Sequence, residues 1–239
     1  MGITARLRVG GVVSVVAGLA LLATAASARA QIVPFPPFDE GPADASFVAF
    51  RDSLHFALSV NDTAWIFAHT AEDVMNGFGG AGGVEELREV YWDYVRPDML
   101  AALGQGGFFT DSGGRGSDAE AAFTAPYTWR YPDPPSDWAG DPDEWLFETG
   151  AITVDGTPVV DVPGGDVLTT LGHVVVRVVD WLSPVNPEGL EDPLWVQIEL
   201  ADGRIGNVSE SNISTGLDYR FFFEKRDGRW WFTGWAAGD

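Results

Sequence analysis

The chain has 239 residues, 46% of them hydrophobic, with 14 basic against 35 acidic side chains and a formal net charge of −21. That balance argues against nucleic acid as a partner, since its binding runs on cation–phosphate contacts, and against anionic membrane surfaces. With no cysteine there are no disulfides and no thiolate metal sites, so packing, rich in 10 Trp and 15 Phe, has to hold the fold together.

Arg6 and Arg8 open a positive segment, an apolar run from Val9 to Ala26 follows, and Ala28-Arg29-Ala30 closes it with small residues. This three-part pattern predicts a cleavable secretory signal ending at Ala30, and hence a periplasmic or secreted protein. The apolar run approaches the length that spans a bilayer, but its small-residue end and the Pro-rich stretch behind it favour cleavage. No second run is long enough to span, so no membrane association is expected after cleavage.

Residues 31–43 read as a Pro-rich linker. Asp44 is placed to cap a helix whose apolar stripe is Phe47, Phe50, Leu54 and Leu58, and Asp62 to cap a shorter one through Trp65 and Ala68. After a glycine-rich loop a third helix starts near Val84, with Leu87, Val90, Tyr91, Tyr94 and Val95 as its expected apolar side; Pro97 is expected to end or kink it. Residues 104–118 and 131–144 read as loops, the second acidic. From Phe147 the period becomes that of strands: His173–Asp180 is a dense β-branched run, Leu194–Leu200 alternates before an Asp202-Gly203 turn, and two strands flank Asp227-Gly228.

Few residues point to chemistry. Gly77-Phe78-Gly79-Gly80-Ala81-Gly82 matches the dinucleotide spacing, but Met75-Asn76 before it does not read as a strand, and Glu85 and Glu86 in the following turn repel phosphate. Asp133, Asp137, Asp141, Asp143 and Glu144 offer oxygens for calcium without the register of a known calcium loop. The three histidines, His55, His69 and His173, have no zinc spacing; His55 or His69 with Asp62 or Asp73 is the one acid–base pair to test. Trp181 and Trp195 bracket a long loop carrying Pro184, Pro187 and Pro193 with Glu188, Glu191 and Asp192. They are the candidate ligand-binding residues, suited to a cationic or polyhydroxyl ligand. No catalytic residue, metal ligand or cofactor is assigned.

The C-terminal half resembles the bacterial SH3 family. The opening strand corresponds to Ala151–Val162, the middle to Val167–Leu171 and Val174–Val179, and Trp195-Val196-Gln197-Ile198 precedes the step Gly203-Arg204-Ile205-Gly206-Asn207-Val208. The departures are Val159-Val160-Asp161-Val162 in the opening strand, Asn207 where the family has an aromatic, and the insertion Leu182–Pro193. Phe50-Arg51, Phe78-Gly79-Gly80, Ala125-Pro126-Tyr127 and the tail from Asp218-Tyr219-Arg220 through Trp230 are similar to a class of uncharacterised exported bacterial proteins. The turn at Asn61-Asp62 and the closing Asp227–Trp230 also resemble NTF2-like domains, with the SH3-like part inserted before the last hairpin.

Together these readings predict an α+β protein: signal peptide 1–30, linker 31–43, a helical N-terminal domain 44–146, an SH3-like barrel 147–214 and a C-terminal β-hairpin 215–239. The implied function is non-catalytic binding in the cell envelope, with a cell-wall or envelope-protein partner. The competing reading is a small NTF2-like enzyme using a His/Asp or carboxylate pair.

Overall fold

The computed structural model describes residues 33–77, 82–110, 119–136, 138, 140–183 and 194–236. The signal segment and the loop carrying Pro184, Pro187 and Pro193 lie outside the described residues.

The chain enters as a two-residue strand, β1 (Val33–Pro34), and reaches helix α1 (Ala45–Val60). Asp44 starts α1 as expected: its carboxylate accepts from the Ser46 and Phe47 amides at 2.7 and 3.1 Å. Asn61, in the left-handed region at φ 54°, ends α1, and Asp62 caps α2 (Thr63–Ala68) through the Trp65 amide. Strand β2 (Thr70–Asn76) follows directly, so the glycine loop does come after a strand. The alternation there is hidden by Glu72 and Asp73, which adjoin one another on an edge strand that, among the described residues, pairs only with the last strand.

The third helix is continuous past Pro97, in three parts: α3 (Val84–Glu86), a wider π turn (Leu87–Tyr91) and α4 (Trp92–Gly104). The π turn inserts one residue into the helical repeat. It therefore changes which face is buried. Leu87, Trp92, Val95 and Met99 point into the core, while Val90 and Tyr94, expected on the apolar side, are 59% and 41% exposed.

Strands β3 (Phe108–Thr110) and β4 (Ala121–Ala125) complete the first half, so the region expected to be helical holds three strands as well. After the short α5 (Trp145–Glu148) come β5 (Thr149–Ile152), β6 (Thr157–Val160), β7 (Val167–Leu171), β8 (Val174–Ser183), β9 (Trp195–Glu199), β10 (Ile205–Ser209) and β11 (Ile213–Ser214). The closing hairpin is β12 (Arg220–Arg226) and β13 (Arg229–Ala236), turned by Asp227 and Gly228, both at positive φ as a primed turn requires.

These strands form two sheets. One runs β2-β13-β12-β4-β3, with β2 and β13 parallel, and α1, α2 and α4 cover it. The closing hairpin thus joins strands laid down before Ala125, and everything from Pro126 to Tyr219 sits between two neighbouring strands of one sheet. The other runs β11-β5-β8-β9-β10-β6-β7, with β1 added beside β8. The fold is α+β, as expected. The expected barrel is not closed: among the described residues no pairing links β7 to β11. β11 has only two residues and pairs with β5 on one edge.

Each sheet has its own core, and a third cluster joins them. The run in β8 is apolar on successive residues because Val175 faces the joining cluster and Val176 and Val178 face the core of their own sheet. The joining cluster holds Phe35, Tyr127, Trp145 and Val175. Phe35 comes from the stretch expected to be a linker. That stretch is instead a strap: Val33 and Pro34 pair with Val175 and Val174, while Glu40 accepts from Arg130 at 2.9 Å and from the Phe109 amide at 2.8 Å. Prolines that remove amide donors leave this segment extended, and its phenylalanines find the gap between the sheets.

Candidate functional site

A cleft of about 800 Å³ lies where the two sheets meet. One wall is α4 and the residue that follows it, which present Asp98, Ala101 and Gln105. The opposite wall is the 3₁₀ turn Glu210–Asn212, strand β11 and the segment Thr215–Tyr219. Trp181, near the end of β8, and Leu194 close one end. The volume falls within the ~300–1,000 Å³ of small-molecule sites.

Trp181 is half-buried. Its indole N–H donates to the Phe147 carbonyl at 3.1 Å, which fixes the ring, and the same ring packs on the core of the eight-stranded sheet. Trp195 behaves differently. It begins β9 opposite Ser209 and is half-buried, and it does not line the cleft, although its neighbours Leu194 and Ser209 do.

The cleft carries two facing carboxylates. Burial pushes the Asp98 carboxyl above its usual range, and the negative charge of Asp218 pushes it further in the same direction. Asp218 is held by its own turn: it accepts from the Ser214 hydroxyl, from the Thr215 amide at 2.9 Å and from the Thr215 hydroxyl at 3.3 Å. Glu210 adds a third acid. Gln105 has a buried Oε1 with no hydrogen-bond partner. Among the described residues no Lys or Arg lines the cleft.

The histidine–aspartate pairs are not assembled. Asp62 is spent on capping α2, and Asp73 pairs with Arg226 at 3.1 Å on the exposed edge. His69 stacks on Trp65 with ring centroids 3.7 Å apart and bonds the Trp65 carbonyl at 2.8 Å. His55 is exposed, beside a smaller hollow of about 350 Å³ whose Arg51 and Asp39 already pair with each other at 2.6 Å. At the glycine loop, Glu86 occupies the position a phosphate would need: its carboxylate accepts from the Gly82 amide at 2.9 Å and from Asn76 at 3.0 Å. In the acidic loop Asp141 caps the turn Pro142–Glu144, and Asp137 lies outside the described residues. Among the described residues no three His, Asp or Glu side chains converge to hold a metal, and no helix is long and apolar enough to cross a membrane.

Sequence reasoning missed Asp98 and Asp218. Asp98 lies in a helix with no motif around it, and Asp218, which opens the tail Asp218-Tyr219-Arg220, lies before a strand. The available signal was the spacing Tyr94–Asp98–Gln105, which lies on a single helical stripe. Compared with known protein families, curated proteins and solved structures, the chain has no significant match.

Proposed function

We propose that this chain is an exported, non-catalytic binding protein of the cell envelope whose ligand occupies the cleft between the two sheets. The observation that carries the reading is Trp181: its indole is fixed by the Phe147 carbonyl and forms one wall of a cavity large enough for a small molecule. A rigid aromatic gives contact area at little entropic cost.

An SH3-like reading of the second sheet is supported by its order: β5, an arm made of β6 and β7, the meander β8–β9–β10, a 3₁₀ turn and a last strand returning to β5. Export rests on the pattern of residues 1–30 and places the mature N-terminus at Gln31, which mass spectrometry of the native protein tests; an intact Met1 terminus in the membrane fraction refutes it. Binding is tested by retention of the mature protein on isolated cell wall and on envelope extracts. Trp181→Ala is expected to abolish retention, and Trp181→Phe, which keeps an aromatic packing on the core, to keep the fold with reduced retention. Loss of the fold in both variants with no ligand signal from the wild type makes Trp181 a core residue only.

A second reading is favoured by one observation. Asp98, raised, beside Asp218, hydrogen-bonded, is a pair whose environments differ, as acid and base roles require. An envelope enzyme would show turnover of cell-wall fragments that Asp98→Asn removes while binding survives.

A further inference from the structure

We infer that the cleft takes an organic cation, an ammonium or guanidinium on an aliphatic stem, with its charge between Asp98 and Asp218 and its stem against Trp181. This rests on the reading of the cleft as the ligand site and names the class of ligand.

Three observations carry it. First, the walls are acceptor-rich and have no counter-ion of their own. Asp98, Asp218 and Glu210 line the cleft, and among the described residues no basic side chain does. Second, the cations of the surrounding elements are engaged elsewhere. Arg96 on α4 donates to the Leu58 carbonyl at 3.1 Å, Arg130 pairs with Glu40, Arg177 lies between Glu148 and Glu199, and the Arg220 guanidinium sits 4.7 Å from the Trp129 ring. Among the described residues none of these cations is paired with Asp98 or Asp218. Third, Asp218 is oriented in advance by Ser214 and Thr215, so a cation meets a fixed acceptor.

Like charges in one partly buried space repel: burial first, and the charge of Asp218 after it, push the Asp98 carboxyl up. A cation placed between the two relieves it, in surroundings where each charge counts for more than in water. An anion gains nothing from either wall. Among the described residues no third carboxylate or imidazole converges with the two to form a metal-binding group. Trp181, Leu217 and Ile213 supply the apolar side that an alkyl stem covers, and that an inorganic ion leaves unused.

The test is a calorimetric titration of the mature protein with 1,5-diaminopentane and with an end-blocked Lys-containing tripeptide, at low and at physiological salt. Because the whole protein is acidic, Glu72→Gln, an exposed carboxylate outside the cleft, is the control. Saturable binding is expected that Asp98→Asn and Asp218→Asn each weaken by about tenfold or more, that Trp181→Phe weakens less, and that Glu72→Gln leaves unchanged; melting curves check that each variant folds. Binding of the tripeptide alone assigns the cation to a basic segment of a partner; binding of the diamine as well assigns it to a free amine. Equal loss in Glu72→Gln, or no loss in either aspartate variant, overturns the proposal as diffuse attraction to an acidic surface. If neutral sugars bind and both amines fail, the cation class is wrong and the cleft stands as a site. If nothing binds and Trp181→Ala does not alter envelope retention, the cleft falls with it.

Discussion

The two sheets solve the same packing problem with different side chains. Behind the five-stranded sheet the core is aromatic: Phe47 is fully buried, with the rings of Phe123 and Trp230 at 4.1 and 4.8 Å, and Phe50, Phe221, Phe223 and Phe232 extend the cluster. Inside the eight-stranded sheet the core is aliphatic, from Ile152, Val159, Val176, Val196, Ile198 and Val208, with Trp181 only at its border. A helix laid on a sheet leaves wide gaps that large rings fill, whereas strands folded against strands leave a thin layer that branched side chains fill. The difference extends to how each is assembled. The meander β8–β9–β10 pairs strands that are sequence neighbours, while the five-stranded sheet needs Arg220 to return to a strand that ended at Ala125. The eight-stranded sheet is therefore expected to be the more local of the two, and the five-stranded one to depend on the chain end.

The sharpest way to break that comparison is in the two cores. Phe47→Ala is expected to cost about 3–5 kcal/mol, against about 0.5–1.5 kcal/mol for Ile198→Val, because the larger ring leaves a cavity its neighbours cannot close. Chemical denaturation of both variants measures it, and equal losses would remove the contrast. Asp44→Ala comes next, expected to cost about 1 kcal/mol through the lost cap on α1. Its carboxyl lies below the usual range, first because of the Ser46 hydroxyl, so this contribution is present above the unfolded pKa and fades as pH falls through the folded one. Gly228→Ala is expected to cost about 1 kcal/mol, since Gly228 sits at φ 72° with open space around it, so the penalty is backbone strain alone.

The smallest expected effect lies between the two sheets. Asp98 is raised in the folded protein, so folding binds its proton more tightly than the unfolded chain does. Stability is then greatest below the unfolded pKa and declines as pH rises through the window up to the folded one. Asp98→Asn removes that decline, so the ligand-free variant is expected to melt slightly higher than the wild type at neutral pH and to match it in acid. A variant that melts lower at neutral pH would show that Asp98 is paired in a way that stabilises it.

Much of the local structure was legible because its causes are local. Asp44 and Asp62 cap helices whose first amides lie two and three residues away, Asp227-Gly228 needs only its own dihedrals, and the alternation Trp195–Glu199 exposes and buries successive residues of one strand. The apolar stripe of α1 was read correctly for the same reason, since a regular helix repeats every turn. The stripe of the third helix was not. One inserted residue in the π turn moved Val90 and Tyr94 outward and brought Trp92 and Met99 in, and hydrophobic periodicity carries no mark of that insertion.

The sequence by itself determined the α+β class, the caps, the hairpins and the buried stripe of α1, because these follow from interactions among near neighbours. The tertiary structure alone decided that the Pro-rich strap joins two sheets, that the last hairpin completes the sheet begun by β2 and β4, and that Asp98 meets Asp218 across a cleft walled by Trp181. Those meetings join residues far apart in the chain. Their physical consequences, burial and charge repulsion at Asp98 above all, exist only once the packing has brought the partners together.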